Sequence, residues 1–129
     1  MPENKKILIA EDSSVIQNLA RKILEFQNYS ITGVRNGSEV LEALATEDYS
    51  LLLLDINMPV MDGMETARKV RSLGDSKKAG IPIVAITGNA KNYSMEEFKA
   101  AGINDYLQKP LNFDRLVELA KELTQKQPA

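Results

Sequence analysis

Apolar residues in this chain fall into short unbroken runs separated by longer segments in which they recur every three or four positions. Lys5-Lys6-Ile7-Leu8-Ile9-Ala10 stops at Glu11-Asp12, Leu51-Leu52-Leu53-Leu54 stops at Asp55, and Ile81-Pro82-Ile83-Val84-Ala85-Ile86 stops at Thr87. Runs with no polar alternation suit strands buried on both faces, as in a parallel sheet. Pro82 is tolerable at the start of its strand. Tyr29 to Val34 and Asp105 to Lys109 complete a set of five strands, the last ended by Pro110.

Between the strands the period changes. Ile16, Leu19, Ala20, Ile23 and Leu24 form one stripe of a first helix, which either Ser13 or Ser14 can cap. Asn36-Gly37 reads as a turn, and Val40, Leu41 and Leu44 face inward from a second helix over Ser38 to Ala45. Asp62-Gly63 opens a third, with Met64, Ala67 and Val70 on its stripe, and Ser72 to Gly80 reads as a polar connection. A weaker fourth helix spans Ser94 to Ala101, with Gly102 placed to follow its C-cap. Asn112 or Asp114 begins the fifth, whose apolar face is Phe113, Leu116, Val117, Ala120 and Leu123; Thr124 to Ala129 is expected to fray. Five strands alternating with five helices predict a doubly wound α/β sheet with right-handed crossovers.

In such a sheet every strand points its C-terminal end at one rim, where ligands of open α/β folds sit. The residues at that rim are Glu11 and Asp12, Asp55, Thr87 and Lys109. Taken singly, each has a structural reading: a cap, a turn hydroxyl or a solvated charge. Three carboxylates in one crevice repel each other, which a raised pKa or a bound cation resolves. The chain has no histidine and no cysteine, so the donors are all oxygen and indicate a hard ion such as Mg²⁺. Asp55 can then serve as a nucleophile toward a phosphoryl group. Asp12, Asp55 and the backbone carbonyl of Asn57 would hold the ion, and Lys109 and Thr87 would supply further donors.

Composition narrows the class. A chain of 129 residues fits one domain, 1–129 with a core of about 5–124. The net charge of -2 argues against direct nucleic-acid binding. Met1 to Lys6 is polar, and no signal segment or membrane-length apolar stretch is present, so the expected location is cytoplasmic. Without histidine, any histidine chemistry must come from a partner.

Glu11-Asp12, the loop Asp55-Ile56-Asn57-Met58-Pro59-Val60-Met61-Asp62-Gly63, Thr87, and Tyr106-Leu107-Gln108-Lys109-Pro110 follow one another as in the receiver domain of two-component response regulators, which the chain resembles over nearly its whole length. The resemblance implies a flavodoxin-like strand order 2-1-3-4-5. It implies that Asp55 is the phosphoacceptor (a 4-aspartylphosphate when modified), Asp12 a direct Mg²⁺ ligand, Glu11 a ligand through water, and Asn57 a ligand through its carbonyl, with Mn²⁺ an alternative ion. Thr87 and Tyr106 would be the switch pair, Lys109 would bind a phosphoryl oxygen, and the Lys109-Pro110 bond would be cis. Asn57 and Asn89 would tune how fast water removes the phosphoryl group.

The implied donor is a histidine kinase or histidine phosphotransfer protein. The implied output surface is the fourth helix, fifth strand and fifth helix, facing a downstream protein and open to a phosphorylation-linked dimer. Such a module catalyses its own Mg²⁺-dependent phosphorylation and dephosphorylation without being a conventional turnover enzyme. It either stands alone or is the receiver of a hybrid histidine kinase. An aspartyl-nucleophile phosphatase would want an acid where Asn57 stands, and a flavin module would want a phosphate cradle where Glu11-Asp12 stands. A receiver-like adaptor that takes no phosphate is disfavoured by the full set of acids, Thr87 and Lys109.

Overall fold

Leu51 to Leu54 are wholly buried, and consecutive leucines face opposite sides of the sheet. Leu52 and Leu54 pack with Leu8, Ala10, Ile83 and Ala85 in one core layer. Leu51 and Leu53 pack with Ile7, Ile9, Val84 and Ile86 in the other. A run without alternation is therefore what a central strand between two apolar layers requires, and each buried leucine contributes roughly 2 kcal/mol of transfer free energy.

The computed structural model describes residues 5–88 and 93–125. Its strands are β1 (Lys6–Ala10), β2 (Ser30–Val34), β3 (Leu51–Asp55), β4 (Ile83–Thr87) and β5 (Asp105–Gln108), all parallel in the order β2-β1-β3-β4-β5. The helices are α1 (Ser14–Phe26), α2 (Gly37–Thr46), α3 (Gly63–Arg71), α4 (Ser76–Ala79), α5 (Met95–Ala100) and α6 (Phe113–Gln125). Ala20 and Leu24 of α1 and Leu116, Leu119 and Ala120 of α6 join the layer of Leu51 and Leu53. Val40 and Leu44 of α2, Met64, Ala67 and Val70 of α3, and Phe98 of α5 join the layer of Leu52 and Leu54. This is the doubly wound, flavodoxin-like arrangement that the sequence implied.

Caps fix where the helices begin. Ser13, not Ser14, caps α1 by accepting the Ile16 N–H. Asn36 belongs to an N-cap rather than a free turn, its Oδ1 accepting the Glu39 N–H at 2.9 Å, so α2 starts at Gly37. Asp62 accepts the Glu65 N–H, and Ser94 and Glu97 close a capping box on α5. Asn112, not Asp114, starts α6 by accepting the Arg115 N–H at 3.0 Å.

Four expectations need correction. The connection Ser72 to Gly80 contains the short helix α4, capped by Asp75 and tied to the end of α2 through Lys78 Nζ, which donates to the Leu44 and Glu47 carbonyls. The predicted fourth and fifth helices are thus α5 and α6. Leu19 and Phe113, expected inside, are 45% and 37% exposed, because they line an open groove with Pro110 and Leu111 rather than the core. Leu119, absent from the predicted face of α6, is buried there. Thr124, expected to fray, is buried, and its hydroxyl meets Tyr29 Oη at 3.1 Å and donates to the Ala120 carbonyl.

Candidate functional site

β1, β3, β4 and β5 end together, and their last residues converge as the strand-end rule requires. Glu11 and Asp55 are buried at 1% exposure each, whereas Asp12 is exposed. One carboxylate oxygen from each of the three lies within 4.8 Å of the others. Lys109 follows β5, and its N–H donates to the Thr87 carbonyl at 2.8 Å, which fixes it across from the acids. Its Nζ stands 3.4 Å from Glu11 Oε1 and 3.5 Å from Asp55 Oδ1.

The electrostatics follow from this crowding. Loss of water around Glu11 is the largest cause that pushes its carboxyl from 4.5 up to about 7, and the neighbouring Asp55 carboxylate adds to the rise. Lys109 and the Ser13 N–H, which donates to Glu11 Oε1 at 3.3 Å, pull the other way without cancelling it. Glu11 Oε2 and Asp55 Oδ2 are buried with no hydrogen-bond partner among the described residues. Two buried carboxylate oxygens without a donor, beside an exposed third acid, form a set able to hold a cation. Their hard oxygen chemistry and the lack of any nitrogen or sulfur donor fit Mg²⁺.

The loop after β3 is shaped around Asp55. The Asn57 N–H donates to Asp55 Oδ1 at 3.1 Å, holding the carboxylate in place from its own chain. At Gly63 the Ile56 carbonyl accepts the N–H at 2.9 Å, and an added Cβ would stand 2.6 Å from the Asp55 carbonyl oxygen, so only glycine lets α3 begin this close. Val60 sits at φ 72 with its side chain exposed, and the Met61 N–H donates back to the Pro59 carbonyl at 2.7 Å. This is a γ-turn, a strained one for a β-branched residue.

Thr87 is buried at the end of β4, and Tyr106 of β5 lies in register with Ala85 of β4 and is 36% exposed. The Lys109-Pro110 peptide is cis. Asn89 lies outside the described residues. Two contacts that support the site had no mark in the sequence. Gln17 Nε2 donates to the Glu11 and Val34 carbonyls at 3.2 and 2.9 Å, and the Arg35 guanidinium donates to the Asp12 carbonyl at 2.8 Å. Both act on backbone carbonyls, which no pattern of side chains announces. Among the described residues no helix is long and apolar enough to cross a membrane.

Known proteins share this arrangement. The chain is 34% identical, over 97% of its length, to the sensor protein EvgS of Escherichia coli, of which it spans 10%. It is 31% identical, over 91% of its length, to a probable histidine kinase 1 of rice, spanning 15% of that protein. The Arabidopsis two-component response regulator 24 is 33% identical over 90% of the chain, which spans 81% of that regulator. Among solved structures, the receiver domain of the sensor histidine kinase PA1611 of Pseudomonas aeruginosa superposes with a TM-score of 0.86 at 29% identity. The match covers 95% of this chain and 99% of that one, whose active site cleft coordinates a magnesium ion. The pattern of the response regulator receiver domain matches residues 7–121, and the chain belongs to that family of two-component signalling modules.

Proposed function

We propose that the chain accepts a phosphoryl group on Asp55 from a phosphohistidine of a partner protein and passes the change to a surface built from α5, β5 and α6. The observation that carries this reading is Asp55 itself: a buried carboxylate at a strand end, with one oxygen held by the Asn57 N–H and near Lys109, and the other without a partner. That second oxygen is the nucleophile. Its bond to phosphorus forms as the phosphorus–nitrogen bond of the donor breaks, and the electron pair leaves with the imidazole nitrogen. No general base is needed, because the attacking group is already a carboxylate.

Asp12, Asp55 and the carbonyl of Asn57 would hold Mg²⁺ directly and Glu11 through water, with Mn²⁺ able to replace it. The ion supplies charge neutralisation on the phosphoryl oxygens. Lys109, whose Nζ already stands 3.5 Å from Asp55 Oδ1, would donate to a phosphoryl oxygen. The Thr87 hydroxyl would turn toward the modified Asp55, with the Tyr106 ring following inward, and Asn57 and Asn89 would set how readily water reaches the phosphorus.

The chain carries no histidine, which leaves the donor imidazole to a histidine kinase or histidine phosphotransfer protein. Its kinship with histidine kinases supports that source. An apolar groove of about 580 Å³, lined by Ile16, Leu19, Lys109, Pro110, Leu111 and Phe113, shares Lys109 with the acidic site and is the seat assigned to the donor protein. The chain acts as one receiver unit, alone or within a hybrid kinase. Phosphoramidate, a small donor with the same phosphorus–nitrogen bond, tests the chemistry. With Mg²⁺ it should modify the protein, and borohydride should then convert Asp55, and no other residue, to homoserine. Conversion elsewhere, or none, contradicts the reading.

A further inference from the structure

Three aromatic rings run in a row beside the switch pair. The Tyr106 ring lies 5.5 Å from that of Phe98 at an interplanar angle of 28°, and Phe98 lies 5.5 Å from Tyr93 at 32°. Phe98 is wholly buried and is the one buried residue of the six-residue helix α5. The seat of α5 on the sheet and the outward position of Tyr106 therefore share a single side chain.

The sheet explains why this matters. Ala85 and Thr87 stand two apart on β4 and so face one side, and Tyr106 is in register with Ala85. Beside the ring, toward Thr87, β4 presents only a methyl group. A ring turned inward has little on Ala85 to oppose it but must give up its stack on Phe98. An offset aromatic pair at this spacing shifts an equilibrium about 2- to 10-fold beyond the area it buries.

We infer that Phe98 is a latch: by stacking on Tyr106 it holds that ring outward, so that the strength of this contact sets how much of the protein occupies the switched state and ties the ring's movement to α5. The inference rests on the reading of Thr87 and Tyr106 as a switch and adds to it a positioning residue and a direction. A side chain that only filled the core would, when truncated, lower stability and leave the switch equilibrium where it was. Removing a latch also favours the inward ring, and a ligand that selects that state must then bind more tightly.

The test uses the full chain labelled with 3-fluorotyrosine and titrated with beryllofluoride, a phosphoryl mimic, in the presence of Mg²⁺. The Tyr106 fluorine resonance is assigned by its loss in Tyr106→Phe. In Phe98→Leu the resonance of the ligand-free protein should move toward the position the wild type reaches at saturation. Half-saturation should fall about 2- to 10-fold. Phe98→Tyr, which keeps a ring, should restore the wild-type values. An unmoved resonance with equal or weaker beryllofluoride binding in Phe98→Leu overturns the latch. Should Phe98→Leu not fold, Phe98→Met, nearer in volume, is read by the same outcomes. A wild type that gives no response to beryllofluoride contradicts the switch reading beneath the latch, whereas a wild type that responds beside a Phe98→Leu that behaves identically contradicts the latch alone.

Discussion

Lys109 Nζ stands 3.5 Å from Asp55 Oδ1, at the outer limit of a hydrogen bond, and 3.4 Å from Glu11 Oε1. The ammonium is therefore shared between two carboxylates and committed to neither, which leaves it able to follow charge that develops on a phosphoryl oxygen. Replacing it with a neutral group removes one preorganised donor, a loss worth about 100-fold or more in rate. Lys109→Ala should fold, as circular dichroism would show, while its rate of modification by acetyl phosphate falls by about that factor. A rate within about twofold of wild type would remove Lys109 from the transfer step.

Glu11 makes stability depend on pH with a defined sign. Its carboxyl is raised from 4.5 to about 7, so the folded state binds this proton more tightly than the unfolded chain does. The folded protein carries no penalty below about pH 4.5, loses stability as the pH rises toward 7, and bears the full cost above it. Glu11→Gln abolishes that ionisation. In the absence of Mg²⁺ it should be more stable than wild type at about pH 8, on the order of 2–3 kcal/mol, with the difference gone near pH 4.5. Urea denaturation at the two pH values measures it.

Mg²⁺ should relieve the same repulsion. Binding only to the folded state stabilises it by about 2.7 kcal/mol at 100 times the dissociation constant. A chelator should reverse the rise in melting temperature, and Asp12→Asn, which loses one acid of the three, should shrink it. Because the ion competes with the proton on Glu11, its apparent affinity should increase as the pH passes through about 7. Thermal melts at fixed Mg²⁺ and varied pH would check both statements.

Arg71 predicts a purely structural effect. Its guanidinium donates to the carbonyls of Gly102, Ala79 and Ile81 and to Asn104 Oδ1, joining the end of α3 to the turns that lead into β4 and β5. Arg71→Met would leave several of these acceptors without a donor and should cost about 2–4 kcal/mol. Gly102, at φ 92, has no room beside Arg71: an added Cβ would lie 2.4 Å from Arg71 Cγ. Gly102→Ala should therefore also destabilise, by about 1–2 kcal/mol from backbone alone. Neither change should alter Mg²⁺ affinity by more than about twofold, and denaturant midpoints together with Mg²⁺ titrations would separate the two effects.

The strand ends were legible in the sequence because burial on both faces leaves an uninterrupted apolar run, and the first polar residue after it marks the rim. Glu11, Asp55 and Thr87 follow from that rule, whereas Lys109 follows a mixed, half-exposed strand and is placed by the proline after it. What escaped it depended on three dimensions. A four-residue helix such as α4 is too short to show a period, so its cap, Asp75, looked like loop. Leu19 and Phe113 repeat at core spacing, yet they are only partly covered and line an open groove. Thr124 is held by Tyr29, 95 residues earlier in the chain, and Arg71 binds carbonyls that every residue possesses. Nothing in the sequence singles out Phe98, because its stack on Tyr106, with ring centroids 5.5 Å apart, joins a helix to a strand that only the fold brings together.

Asp55 as covalent acceptor is the claim on which the rest depends, and the intact mass of the protein after incubation with acetyl phosphate and Mg²⁺ tests it most directly. Wild type should gain one phosphoryl group that is lost under conditions that hydrolyse acyl phosphates, Asp55→Asn should gain none, and withholding Mg²⁺ should prevent the gain. An unchanged wild-type mass, or equal modification of wild type and Asp55→Asn, would contradict it.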